Sequence, residues 1–207
     1  LFLFHSEDEE KIIHRRVLST GLIGGVIIAS SLIDDPLIPK LLEQATPFVV
    51  IGRPDEKLLA SYVDVDNRAG AITAVNHLLR HGNKRIGTIT GRLDMTPGQD
   101  RLDGFLAALH YRGHSERPEL IVEGDFTEAG GYSAMHLLLS SEPDAVFIAS
   151  DTMAFGAIRA IEEAGMSVPD DIAIVSFDDL PPAMNARPPL TVVRQPVRRT
   201  GLTAVDT

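Results

Sequence analysis

The stretch DAVFIASDTMAFGAIRAIEEAGMSVPDDIAIVSF, residues Asp144–Phe177, decides the fold. It opens on an apolar run, Asp144–Ala149, and passes into a helical pattern from Asp151 to Ala164 that is closed by Gly165. It returns to a second apolar run, Ile172–Phe177. Runs that stay apolar without alternating are strands covered on both faces, as parallel strands are. A glycine just past a periodic stretch is the usual helix stop. Strand, helix and strand in that order predict a parallel pair joined by a right-handed crossover.

The same grammar extends both ways. Upstream, Arg85–Thr90 (RIGTIT) reads as a strand, Asp100–Tyr111 as a helix ending near Gly113, Leu120–Glu123 as a strand and Glu128–Leu139 as a helix. Further back, Gly25–Ala29, Phe48–Ile51 and Tyr62–Val65 read as strands, with a short helix at Pro39–Ala45. Asn67 stands where a cap is wanted for a helix running to Arg80 and stopping at His81-Gly82. At the start, Leu1–Phe4 reads as a strand entered midway and Glu7–Ser19 as an amphipathic helix, so more chain is expected before Leu1. Downstream, the proline-rich loop Asp179–Pro189 reads as a crossing between lobes, and Thr191–Arg194 as a last strand. The expected class is α/β, with parallel sheets covered by helices on both faces.

Composition limits the chemistry. The chain has 207 residues, 44% hydrophobic and 23% charged, as in ordinary globular proteins. It has no cysteine, which excludes disulfides and thiolate catalysis. The longest apolar stretch, Gly21–Ile33, is too short to span a bilayer, and no membrane contact is expected. A net charge of -10 argues against a DNA-binding surface on this piece, because phosphate contacts need clustered Lys and Arg.

Near-motifs fall short of enzyme signatures. His77 and His81 share a helix face, but Leu78 stands where a zinc protease needs a glutamate base. His110 and His114 repeat the spacing across the helix-breaking Gly113. Gly131-Tyr132-Ser133 approaches a nucleophile elbow but lies within a helix. Asp64 and Asp66 share a strand face, yet lack the spacing of a calcium loop, and helix capping is the favoured role of Asp66. No catalytic residue, metal site or cofactor is expected.

Several segments taken in order resemble the effector-binding domain of the lactose-repressor/galactose-repressor family of transcription regulators. They are Val63-Asp64-Val65-Asp66-Asn67-Arg68-Ala69-Gly70, His77–Ile86, Arg101-Leu102-Asp103-Gly104-Phe105, Glu123-Gly124-Asp125-Phe126, Gly130-Gly131-Tyr132, Asp144–Phe147, Ser150–Ala154, Ser176-Phe177-Asp178-Asp179 and Pro188–Pro196. The resemblance implies a periplasmic-binding-protein-like fold of two Rossmann-like lobes, incomplete at both ends here. Residues 1–65 with 194–207 would form part of the first lobe and 66–193 the second, hinged near Asp66 and Asn67. It further implies a cytoplasmic homodimer, a repressor, whose N-terminal helix-turn-helix headpiece, outside this chain, binds operator DNA. The ligand would be a small polar effector, a sugar or related metabolite, held between the lobes.

Ligands of open α/β sheets sit beyond the carboxyl ends of strands. The residues matching the family's pocket there are Arg101, Asp178, Phe126, Ser150 and Gln195. The resemblance gives Arg101 hydrogen bonds to hydroxyls or a carboxylate, Asp178 the acceptance of hydroxyls, and Phe126 stacking on the ligand ring. Ser150 would face the pocket while Asp151 caps the following helix, and Gln195 would sit at the return crossover. Two departures leave the effector open: Gly52-Arg53 replaces a common Asp-Arg, and Pro97-Gly98 replaces a small hydroxyl residue. The alternative is a periplasmic sugar receptor of a transporter, which shares the fold and would be preceded by a signal peptide. An α/β enzyme using Asp178 with a metal ranks behind both.

Overall fold

Uninterrupted apolar runs require cover on both faces, and every strand pair among the described residues is parallel. The computed structural model describes residues 24–29 and 31–207. The strand expected at Leu1–Phe4 and the helix expected at Glu7–Ser19 lie outside the described residues.

The chain divides into two compact units. One takes the described residues up to Asp64 together with Arg198–Thr207, the other Val65–Val197. In the first, β1 (Val26–Ala29), β2 (Phe48–Ile51) and β3 (Tyr62–Val63) pair in that order. Helix α1 (Leu37–Glu43) adds Ile38 and Leu41 to a small core with Ile28 and Val50.

The second unit carries a five-stranded sheet. Its strands are β4 (Ile86–Thr90), β5 (Ile121–Glu123), β6 (Ala145–Ile148), β7 (Ala173–Asp178) and β8 (Thr191–Arg194), in the order β5-β4-β6-β7-β8. Its helices are α2 (Asn67–Arg80), α3 (Thr96–Tyr111), α4 (Glu128–Leu138) and α5 (Asp151–Glu163). Side chains alternate across the pleat. Val146, Ile148 and Ile174 join Met135, Leu138, Met153 and Ile161 of α4 and α5. Phe147, Val175 and Phe177 join Val75 and Leu78 of α2 and Phe105 and Leu109 of α3. Each fully buried side chain of this size, such as Phe105 or Phe147, contributes about 1.5–3 kcal/mol.

From β4 the chain turns outward to β5, then crosses back to β6 on the other side of β4. That reversal between β4 and β6 is the topological switch point where such sheets bind ligands.

Three expectations change. Helix α3 starts at Thr96, not Asp100, because Pro97 occupies its first turn, where a missing N–H costs nothing. The Asp179–Pro189 loop is not a crossing between lobes. It contains a 3₁₀ turn, Pro181–Asn185, and joins β7 to its parallel neighbour β8 within one sheet. After β8 comes a helix that the sequence reading did not anticipate, α6 (Val197–Asp206).

Helices α4 and α5 meet through glycines. A Cβ on Gly131 would lie 2.1 Å from the Met153 carbonyl oxygen, and one on Gly156 would lie 1.9 Å from that of Glu128. Both obstacles are backbone, which a rotamer change cannot relieve. Overpacking of this kind typically costs 1–3 kcal/mol, so Gly156→Ala is expected to lose about 2 kcal/mol. The measurement is a fall in urea midpoint at unchanged slope; an unchanged midpoint would mean that the helices separate freely.

Candidate functional site

The carboxyl edge of the five-stranded sheet collects the polar residues of the second unit. Arg101 is its centre. It lies in the second turn of α3 and is only 4% exposed. Its Nε donates to Asn67 Oδ1 at 3.0 Å, and its Nη1 donates to the carbonyl of Ala149 just past β6. Nη1 also stands 3.5 Å from Asp178 Oδ1, and the guanidinium carbon lies 3.8 Å above the centre of the Phe177 ring. A buried guanidinium needs this combination of carboxylate, neutral acceptors and aromatic face, since desolvation otherwise outweighs the Coulombic gain.

Asp178 ends β7 with φ at +116°, a backbone conformation that L residues rarely adopt. Its carboxylate accepts from Gln195 Nε2, and its carbonyl accepts from the Gln195 amide at 3.1 Å. Burial raises the Asp178 pKa above the ordinary carboxylate value, with Asp151 adding to the rise, while Arg101 and Gln195 pull it down. Arg101, Asp178 and Gln195, three of the five residues expected to touch ligand, are thus linked to one another.

The other two stand differently. Phe126 follows β5 with φ at +65°. Its ring lies over Gly91, just past β4, so closely that a Cβ there would fall 1.9 Å from Cζ. This puts an aromatic at the carboxyl ends of β4 and β5. Ser150 is 3% exposed and caps α5, accepting the Met153 amide at 3.2 Å.

The expected division between Ser150 and Asp151 is therefore corrected. Ser150 is the cap, and Asp151 is the first helical residue. Fully buried, Asp151 accepts from the Ser176 hydroxyl and from the Leu180 amide at 2.8 Å. Desolvation raises its pKa, against hydrogen bonds from Ser176, Leu180 and the Asp179 backbone, while the Asp179 charge adds to the rise.

At α2 the expected capping role of Asp66 holds and the place given to Asn67 is corrected. Its cap is Asp66, whose carboxylate accepts the Ala69 amide at 2.8 Å. Asn67, expected in the capping place, is the first helical residue, and its side chain is 1% exposed against Arg101. Asn67, Asp151 and Phe177 were missed as parts of this cluster. The signal for Phe177 was available, because period-2 alternation from Val175 places it on the face that α3 covers. Among the described residues, no group of three or more His, Cys, Asp or Glu could hold a metal ion.

The proton affinity of Asp178 has a definite consequence. A raised folded-state pKa means that folding favours the protonated acid. The stability this group contributes is full below the ordinary carboxylate pKa and is lost as pH rises through the elevated folded value. Asp178→Asn keeps the shape and removes the titration. On lowering pH from neutrality into the carboxylate range, the unfolding free energy of wild type should rise relative to that of the variant. Urea titrations across that range measure the difference; a flat or opposite trend would show that Arg101, rather than burial, governs this carboxyl.

Comparison with known proteins fits this architecture. Residues 75–207 match the family described as "Periplasmic binding protein-like domain". The "HTH-type transcriptional regulator CelR" of Thermobifida fusca is 42% identical over 185 residues, covering 86% of this chain and 54% of that protein. A solved "transcriptional regulator CelR-cellobiose complex" superposes with a TM-score of 0.91 at 38% identity, over 97% of this chain and 64% of that one. A "regulatory protein of LacI family" from Chloroflexus aggregans gives a TM-score of 0.87 at 34% identity, over 98% of this chain and 74% of that one. The chain thus spans little more than half the length of its CelR relative. Matched over most of its length by a family model, and at 34% identity across 74% of a LacI-family regulator by structure, the chain belongs to the periplasmic-binding-protein-like domains of the LacI family.

Proposed function

We propose that this chain is the effector-sensing part of a DNA-binding transcription regulator, a repressor, that responds to a small polar ligand, a sugar. The observation that carries the reading is the buried Arg101–Asp178–Gln195 cluster at the carboxyl edge of the five-stranded sheet. Vicinal hydroxyls are both donors and acceptors. A carboxylate and a guanidinium side by side suit them, the first accepting and the second donating. Phe126 offers an apolar face for the C–H side of a pyranose ring, and the Ser150 hydroxyl, which accepts the Met153 amide, still has a hydrogen to donate. The related CelR was solved with cellobiose, which supports a saccharide as the ligand class.

In this reading the partners are a second copy of the protein and operator DNA, reached through a helix-turn-helix headpiece, as the "HTH-type" name of the relative suggests. The protein works in the cytoplasm and is not an enzyme. The division at 1–65 with 194–207 against 66–193, and a hinge role for Asp66 and Asn67, belong to the same proposal. Effector and operator need be coupled by only about 1–3 kcal/mol, supplied by different effector affinities in two conformations.

Calorimetry with a saccharide panel that includes cellobiose tests the sensing step. One neutral saccharide should bind, and Arg101→Ala should weaken it roughly ten- to a hundredfold, the worth of hydrogen bonds to a charged group. In the full-length protein, the same saccharide should shift operator affinity. Binding that is indifferent to Arg101 would remove the proposed site, and operator affinity indifferent to the saccharide would remove the regulatory role.

A further inference from the structure

The effector reading leaves two imidazoles of α2 without a role. His77 and His81 stand one turn apart and both are exposed, with ring centres 4.3 Å apart and planes at 40°. His81 Nδ1 lies 2.9 Å from the carbonyl oxygen of His77. A carbonyl can only accept, so Nδ1 carries a proton and Nε2 is the ring nitrogen left for a metal. This backbone bond to the second ring nitrogen is how proteins orient metal-binding histidines.

We infer that His77 and His81 form a two-imidazole site for a divalent transition metal that takes ligands at right angles, copper(II) or nickel(II). Distances make the choice. Metal–nitrogen bonds run about 2.0–2.1 Å, and a ring centre lies about 1.2 Å beyond its nitrogen. Two imidazoles at right angles on one ion then have centres about 4.5 Å apart, against about 5.2 Å at a tetrahedral angle. The observed 4.3 Å fits the right angle, the geometry of tetragonal copper and nickel rather than tetrahedral zinc. The carbonyl end of α2 adds a favourable field for a cation, partly opposed by Arg80. The site binds without hydrolysing. Leu78, which follows His77, is buried in the core, so no base is placed as in a zinc protease.

Copper(II), nickel(II) and zinc(II) titrated in turn into the intact chain test the inference, with electron paramagnetic resonance at one equivalent of copper. Wild type should show nitrogen coordination and hold nickel more tightly than zinc. His77→Gln and His81→Gln should each weaken copper binding roughly a hundredfold, because one imidazole loses the effective concentration supplied by the other. His110→Gln should leave it unchanged. Both changes are at exposed positions, and circular dichroism checks that the fold persists. Copper affinity and spectrum unaltered in both variants would overturn the site; zinc held more tightly than nickel would overturn its geometry.

Discussion

A guanidinium held at 4% exposure is the constraint around which the second unit is built. Taking an ion out of water costs several kcal/mol, and the cost is recovered only if its partners are fixed in place. Arg101 draws them from separate elements: Asn67 from the start of α2, the Ala149 carbonyl from the end of β6, and Asp178 and Phe177 from the end of β7. One side chain therefore sets the relative positions of a helix and two strands. Lysine could not replace it, because a point charge has neither the planar fork nor the flat face that lies on Phe177.

Strain gathers in the same place. Five non-glycine residues among those described have positive φ, and three of them are Phe126, Asp178 and Asp179. Such conformations persist only where the surroundings over-determine them. Here they do: Asp178 is gripped on both carbonyl and carboxylate by Gln195, Asp179 is paired with Arg194, and Leu180 donates to Asp151. The bend at the end of β7 is thus fixed from β8 and from α5. Its effect is to turn the Asp178 carboxylate back over the sheet edge toward Arg101.

The legibility of the sequence follows the range of the forces involved. Strands such as Phe48–Ile51 and Thr191–Arg194 were readable to the residue, and the helix ending at Arg80 to within one, because burial on a regular period is written locally. The first turn of α3 was not. Pro97-Gly98 reads as a breaker, and only the packing of the turn shows proline at a permitted N-terminal position. Helix α6 does carry apolar residues at helical spacing, Val197, Ala204 and Val205, a signal that its internal Gly201 and its run of arginines obscured. In the site, Arg101, Asp178 and Gln195 could be named from resemblance, but the bonds of Arg101 to Asn67 and Ala149 could not, because 34 and 48 residues separate the partners.

The inverted reading at Ser150-Asp151 and the double reading at Asp66-Asn67, where both residues were offered as caps, have one cause. Each helix begins with two adjacent residues that are both competent to cap, and local chemistry does not rank them. Position does. The cap residue lies outside the helix and bends its side chain back onto the first turn, as Asp66 does to Ala69 and Ser150 to Met153. The next residue is already helical, and its side chain projects from the start of the helix across the sheet edge. Asn67 reaches Arg101 in this way, and Asp151 reaches Ser176 and Leu180. The doubled polar residues are a division of labour, with the first holding the helix and the second holding the site. A buried polar side chain at the first helical position is therefore the feature that ties the helix starts of this sheet to its chemistry.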